Sequence, residues 1–325
     1  MTALKTYSHL AGARRMPTEY EIVTTQLHHH VERGFEVNVP AADWYARHLH
    51  GSRWRADDWE RFIDPRETTY TKYTRLQQAQ EAYVDGLLAS IDDSTHDRDL
   101  PAPARALLER TLPPLRFAFH GFQMIAAYVG QMAPSGRITI AAALQAADEV
   151  RRIHRFAYRM AQLRAQQPRF GADARATFET EARWQPLRRV LESLLVTYDW
   201  AEAFVALNVC LKPAVDQLFM VELGAVARVR GDFVLGQILA SLEEDCAWQR
   251  RWTAALVGVA LDARPENRAA CSEWVRAWGA EVSGAVGALA ALVDDTDAAQ
   301  LAARVEGRLT DFHRALEIEA GGGSP

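Results

Sequence analysis

Residues 114–165 read PLRFAFHGFQMIAAYVGQMAPSGRITIAAALQAADEVRRIHRFAYRMAQLRA. Two helical patterns flank the turn Ala133-Pro134-Ser135-Gly136. The first, about 115–132, gathers Phe117, His120, Met124, Ala127, Tyr128 and Met132 near one face. The second, about 137–165, gathers Leu144, Ala147, Val150, His154, Ala157, Tyr158 and Ala161. A 3.6-residue apolar period marks a helix face expected to be buried. At ~1.5 Å per residue the second helix is roughly 40 Å long, beyond the ordinary globular helix. A long antiparallel helix pair is half of a four-helix bundle.

Helical patterns continue on both sides. Residues about 66–91 form one, ending before Asp92-Asp93-Ser94. Asp99-Leu100-Pro101-Ala102-Pro103 opens another, expected to stop at Pro113-Pro114. Pro168, Gly171 and Pro186 punctuate a loop with a short helix over 166–185. A long helix over 187–222, kinked by Pro213, and a fourth over about 230–262 follow, then two more over 266–294 and 296–317. No strand pattern longer than four residues competes. The expected fold is all-α: a helical bundle domain over 66–317, with a frayed tail at 318–325.

Residues 1–65 differ. Prolines break any helical period, and aromatics recur without regular spacing: Tyr7, Tyr20, Phe35, Trp44, Tyr45, Trp54, Trp59 and Phe62. Disordered leaders are poor in aromatics, so this segment is expected to be an ordered arm that buries its rings on another surface, its own core or a partner.

The formal net charge of −5 gives no footprint for nucleic acid. Cys210, Cys246 and Cys271 are too far apart for a Cys-x-x-Cys motif, and as buried free thiols they suit a reducing cytoplasm. The N-terminus lacks the apolar core of a signal peptide. No uninterrupted apolar run reaches ~18 residues, so no membrane span is expected.

Long-helix bundles are known for one chemistry, the di-iron carboxylate site. It takes one Glu from each of two helices and a Glu-x-x-His from each of the other two. The frame is present here and the ligands are not. From Thr111 to Ala147 there is no Asp or Glu. Asp148-Glu149 is followed by Arg152, and Asp245-Cys246 by Gln249, at the two positions where a di-iron bundle reads Asp-Glu-x-x-His. Glu149, Arg152, Cys246 and Gln249 are therefore degenerate ligand positions. A guanidinium stays protonated and cannot ligate iron. None of the ten histidines follows a Glu by three residues. His120 and His154 lie on apolar faces and are expected to be hydrogen-bonded core histidines. His28-His29-His30 has no acidic partner at ligand spacing and is expected to be exposed or interfacial. The mid-helix carboxylates are expected to form structural ion pairs. No catalytic, cofactor-binding or metal residue is assigned.

These segments resemble the hydroxylase β subunit of bacterial multicomponent di-iron monooxygenases, in the toluene, alkene and isoprene group. TYSHL at 6–10, PTEYEIVT at 17–24, DWERFIDP at 58–65, AYVGQMAP at 127–134, LQAADEVRRIHRFAYR at 144–159, YDWAEAFVALNVCLKP at 198–213 and RWTAAL at 251–256 carry the likeness. It implies a ferritin-like bundle without iron, cofactor-free itself, beside an α subunit that holds the di-iron centre. It also implies an (αβγ)2 assembly with a small γ subunit, served by an effector protein, a ferredoxin and an NADH-linked reductase. The hydrocarbon is left open. Two other readings stand beside this one: a helical homodimeric binding or regulatory module, and a stand-alone oxygenase with unusual ligation. Under the subunit reading Tyr7, Tyr20, Trp44 and Trp59 are expected to pack on other chains, because an arm without periodic structure has no core of its own.

Overall fold

The computed structural model describes residues 10, 15–25, 43–92, 95–294 and 296–318, and among these there is no strand. Apart from the short helical turns Ala46–His50, Trp59–Arg61 and His96–Asp99, the described helices are α1 (Glu19–Thr24), α2 (Tyr70–Asp92), α3 (Ala102–Met132), α4 (Gly136–Gln166), α5 (Ala174–Thr180), α6 (Gln185–Leu195), α7 (Trp200–Val229), α8 (Phe233–Ala263), α9 (Pro265–Val293) and α10 (Ala298–Ala315). Two hairpins make the centre. α3 and α4 pack along each other, α7 and α8 do the same, and contacts of α4 with α8 and of α3 with α7 close the ring. The crossover between hairpins carries α5 and α6. One long connection of this kind is the ferritin-like form of the four-helix bundle. α2 lies against α8, while α9 covers α6 and α7.

Short side chains fix the turns. Ser135 caps α4 by accepting from the Arg137 N–H at 3.2 Å, and Asp232 caps α8 by accepting from the Leu235 N–H at 2.9 Å. At Gly130 a Cβ would meet Ala142 Cβ and Thr139 O at 3.3 Å, so glycine there lets α3 and α4 approach closely. The core is aromatic and dense, with Trp54, Trp184, Trp200, Trp248 and Trp252 fully buried. All three cysteines are buried and free.

Pro113-Pro114 does not end a helix; α3 runs through both. Leu112, Pro113, Pro114 and Leu115 are all buried, so packing outweighs the two missing N–H donors. Gly171, at φ +65°, brings its backbone against Pro113 and donates its N–H to Glu109 Oε1 at 2.9 Å. The helix expected over 187–222 divides instead into α6 and α7. Asp199 starts α7, its carboxylate accepting from the Ala201 N–H at 2.9 Å. Pro213 leaves α7 continuous, between π-helical segments Val205–Leu211 and Gln217–Glu222. Wider π turns absorb an interrupted bonding ladder. α7 is long and apolar enough to cross a membrane by length and composition, with 89% of its most apolar window buried inside the bundle.

The apolar faces read from the sequence are largely the outward ones. His120, Met124 and Ala127 on α3 are exposed, as are Val150, His154, Tyr158 and Ala161 on α4. The buried face of α3 is instead Phe119, Phe122, Ile125 and Val129. That of α4 mixes Gln145, Asp148, Glu149, Arg152 and Arg159 with Ile138, Phe156, Met160 and Leu163. α4 buries its central charges among apolar side chains and carries a further, exposed apolar stripe, so periodicity found that stripe and the usual polarity rule assigned it to the wrong side. His120 and His154 are accordingly not core histidines.

The arm joins the bundle. Thr18 and Glu21 form a capping box on α1. Tyr20 is only 3% exposed, and its hydroxyl oxygen accepts from the Asp64 N–H at 3.1 Å. Its expected place on another chain is therefore corrected: it is buried on its own. Trp54 inserts among Trp200, Phe204 and Trp274 and donates from Nε1 to Asn267 O at 3.0 Å. Ser52 Oγ donates to Asp199 at 2.7 Å. Trp59 is half-buried, edge-on to Trp200 with centroids 5.3 Å apart. The arm thus obtains a core from the bundle beneath it. Trp44 keeps 37% exposure, packed on His48 and Tyr198. Tyr7, His28-His29-His30 and the residues from 319 onward lie outside the described residues.

Candidate functional site

The two degenerate motifs meet in the bundle centre. Arg152 is fully buried and bonds to four side chains. Nη1 donates to Glu149 Oε2 and to Asp216 Oδ1, each at 3.0 Å. Nη2 donates to Cys246 Sγ at 2.9 Å and Gln249 Oε1 at 3.2 Å. Lys212 lies beside it. Its ammonium contacts Asp216 Oδ2 at 2.7 Å and Glu149 Oε1 at 3.1 Å. Two cations thus share two carboxylates. α3 offers aromatic faces instead of ligands: Arg152 lies 5.7 Å from the Phe119 ring centroid and Lys212 5.9 Å from that of Phe122.

Burial opposes every charge here. At Arg152, burial works against the charge, but Glu149 and Asp216 outweigh it and hold the guanidinium well above its usual range. At Lys212, Asp216 and Glu149 outweigh burial and Arg152 together, so the ammonium is also held up. Asp216 is held below the usual carboxylate range, Lys212 and Arg152 outweighing burial. Burial raises Glu149, against the pull of Arg152 and Lys212. It also pushes the Cys246 thiol well up, making it a neutral acceptor of the guanidinium hydrogen bond.

A second polar layer adjoins the first. Gln249 Nε2 donates to Asp148 Oδ2 at 2.9 Å. Asp148 Oδ1 accepts from the Tyr73 hydroxyl at 2.9 Å and from Gln77 Nε2 at 3.0 Å. Gln77 also donates to Asp245, whose other oxygen accepts from Arg151 at 2.6 Å. Burial and the Asp245 charge push the Asp148 carboxyl up to about 8. Toward the C-terminal end of α4, Arg155 pairs with Glu81 and Asp85, and Arg159 makes two bonds of 2.6 Å to Asp97. These pairs tie α2 and the turn after it to the bundle.

This donor set does not fit a di-iron centre. Glu149 and Asp216 are both already bonded to cations, and no histidine among the described residues bonds to the cluster. Among the described residues no group of three or more His, Cys, Asp or Glu could hold a metal ion. The structure brings Glu149, Arg152, Cys246 and Gln249 together as the spacing suggested. Lys212 and Asp216, which complete the cluster, were not singled out from the sequence. The signal was available: Lys212 is one of three lysines among 37 basic residues, inside an apolar helix and i,i+4 to Asp216.

The molecule is thus a ferritin-like helical bundle with a buried cluster of side-chain cations and carboxylates at its centre. Comparison with known proteins agrees. The family profile Methane/Phenol/Alkene Hydroxylase matches residues 40–264. The hydroxylase β subunit of toluene-4-monooxygenase from Ectopseudomonas mendocina is 34% identical over 282 residues, covering 85% of this chain and 86% of that protein. The hydroxylase small subunit of propane 2-monooxygenase from Mycolicibacterium goodii is 25% identical, covering 84% and 77%. A chain of the solved structure of toluene 4-monooxygenase, with toluene in its resting active site, matches at TM-score 0.84 and 33% identity over 90% of this chain and 98% of that one. A chain of phenol hydroxylase from Pseudomonas sp. OX1 shares the fold at TM-score 0.82 and 18% identity, covering 94% of each. The chain belongs to the methane/phenol/alkene hydroxylase family, among its β-type hydroxylase subunits.

Proposed function

We propose that this chain is the non-catalytic scaffold of a cytoplasmic, NADH- and O2-dependent hydrocarbon monooxygenase. In this reading it has no active site. It supports an α subunit that holds the di-iron centre and oxidises an aromatic or alkene substrate. The full hydroxylase is (αβγ)2, and an effector protein, a ferredoxin and a reductase serve it. The observation that carries the reading is Arg152 and Lys212 bound to Glu149 and Asp216. Two fixed cations neutralise the carboxylates, hold α4, α7 and α8 at bundle spacing, and leave no open coordination position. The residues of this chain thereby keep the fold rigid without a metal to lose.

The test is metal analysis of the isolated chain refolded with ferrous iron, beside turnover of the complex reconstituted with its α subunit. Sub-stoichiometric iron in this chain, with turnover strictly dependent on α, is the expected result. Tightly bound stoichiometric iron would sink the scaffold reading.

A further inference from the structure

We propose that the cleft between the first two turns of α3 and the loop after α4 binds a small organic monoanion, a carboxylate with an apolar body. The cleft holds about 480 Å³ and is lined by Arg105, Ala106, Glu109 and the loop 167–170. Small-molecule sites run from ~300 to ~1,000 Å³, with mostly apolar walls and a few polar groups that fix the ligand. Ala106, Pro168 and Phe170 supply the apolar wall. Arg105 and Arg169 supply two guanidinium groups, and among the described residues neither has an ion pair or a side-chain hydrogen bond. The contrast with α4 is sharp: from 137 to 159 each of its arginines pairs with a carboxylate.

The surroundings are short of counter-charge. Arg164, the last arginine of α4, pairs with no carboxylate among the described residues; its Nε donates to Phe170 O at 2.8 Å. Arg116 stands beside it, half-buried, with Nε shielded from water and without a hydrogen-bond partner. Burial and the Arg164 charge hold the Arg116 guanidinium below its usual range, as expected where cations crowd together. Glu109 is the carboxylate of the lining, and its Oε1 already accepts from the Gly171 N–H at 2.9 Å. That bond and the one from Arg164 hold the loop from both sides, so the cleft is set before a ligand arrives. Two guanidinium groups and one carboxylate leave the lining with one positive charge in excess, which matches a monoanion. A guanidinium fork binds carboxylate oxygens in pairs. A bare dianion would be repelled by Glu109 and would leave the apolar wall wet. The site uses residues of this chain alone and does not depend on the subunit reading above.

Benzoate is the probe, titrated into the full-length chain by calorimetry at constant ionic strength. Benzyl alcohol serves as its neutral analogue and inorganic phosphate as an anion without an apolar body. Benzoate is expected to fill one site with a dissociation constant of about 1 mM or tighter, and the other two to bind at least ~10-fold more weakly. R105Q/R169Q is expected to weaken benzoate at least ~10-fold, since hydrogen bonds between charged groups are lost. Its melting should stay within about 2 °C of the unaltered chain, because neither arginine is buried. R276Q, at an exposed position of α9, is the control and should bind as the unaltered chain does. Should the double variant lose its melting transition, R169Q alone, on the loop, carries the same expectation. No saturable benzoate binding by the unaltered chain overturns the site, and so does undiminished binding by R105Q/R169Q or R169Q. Benzyl alcohol or phosphate binding as tightly as benzoate overturns the ligand class.

Discussion

Replacing Arg152 by Met tests what holds the bundle centre together. The side chain keeps most of its volume and loses its charge, so packing against Phe119 is largely preserved. What goes is every hydrogen bond to Glu149, Asp216, Cys246 and Gln249. Lys212 alone then faces two buried carboxylates. Removing one partner from a buried charge network costs about 3–5 kcal/mol, because the remaining charge is left uncompensated. Whole domains are stable by only ~5–15 kcal/mol. At ~2–4 °C per kcal/mol for large domains, R152M is expected to melt roughly 10–15 °C below the unaltered chain. The charge argument makes a second, sharper demand. D216N removes the carboxylate that R152M orphans, so R152M/D216N should recover stability relative to the sum of the single losses, with a coupling of about 2 kcal/mol. Differential scanning calorimetry of the four chains closes the cycle. An R152M transition within about 3 °C of the parent, or additive single losses, would falsify the view that a balanced charge cluster organises the centre.

Three further outcomes follow from the same geometry. E149Q and D245N should leave hydrocarbon oxidation by the reconstituted complex unchanged per assembled hydroxylase, with D245N less stable for want of the Arg151 pair; a large loss of turnover at normal assembly and melting would make these residues catalytic. Asp148 has a folded pKa raised from 3.8 to about 8, so its contribution to stability is fully present below pH 4 and is lost as pH rises toward 8. D148N, which cannot ionise, should therefore gain stability relative to the unaltered chain between pH 4 and 8 in urea titrations, above a pH-independent offset for the disturbed Gln249 bond; a flat or opposite trend refutes the assignment. W54A empties a site among Trp200, Phe204 and Trp274, and should cost the isolated chain about 3–5 kcal/mol. An unchanged melt would mean that the arm does not support its own bundle.

The class of the fold was legible because four long helical patterns with short turns admit few arrangements. The site was half legible. Glu149-x-x-Arg152 and Cys246-x-x-Gln249 could be placed by spacing, but Lys212 and Asp216 come from a helix whose register relative to α4 is set only by packing. The direction of the helix faces was not legible. α3 is apolar nearly all round, and α4 carries apolar residues on both sides, with ion pairs among the buried ones. Period identifies two sides in such a helix, while only the neighbours decide which is inner. The double proline at 113–114 misled for a related reason: its cost is local, and the packing that offsets it comes from the loop around Gly171. Tyr20 misled because an arm without periodicity has no core of its own, and the bundle supplies one.

The lack of acidic residues on the central stretch of α3 and the cations on α4 and α7 are electrostatically linked, so that a change from a metal site would have to alter both. A four-glutamate site is neutral around two divalent metals. Here α3 supplies Phe119 and Phe122, and Cys246 stands at the second motif's carboxylate position, so two carboxylates remain in the centre. Two monovalent cations neutralise them. Either half of the change alone would leave buried charge unpaired: cations added to four carboxylates fall short, and two carboxylates without cations cannot stay ionised in a dry core. The guanidinium also spans α4, α7 and α8 from a single side chain, which a substituted apolar residue could not do by directional bonds. The centre therefore supplies, by side-chain bonds, cross-helix ties of the kind that a metal site would supply. The arginines that α4 commits to these internal ties are also the ones missing from its outer surface, so the filled centre and the bare outer face are two consequences of one turn of the same helix.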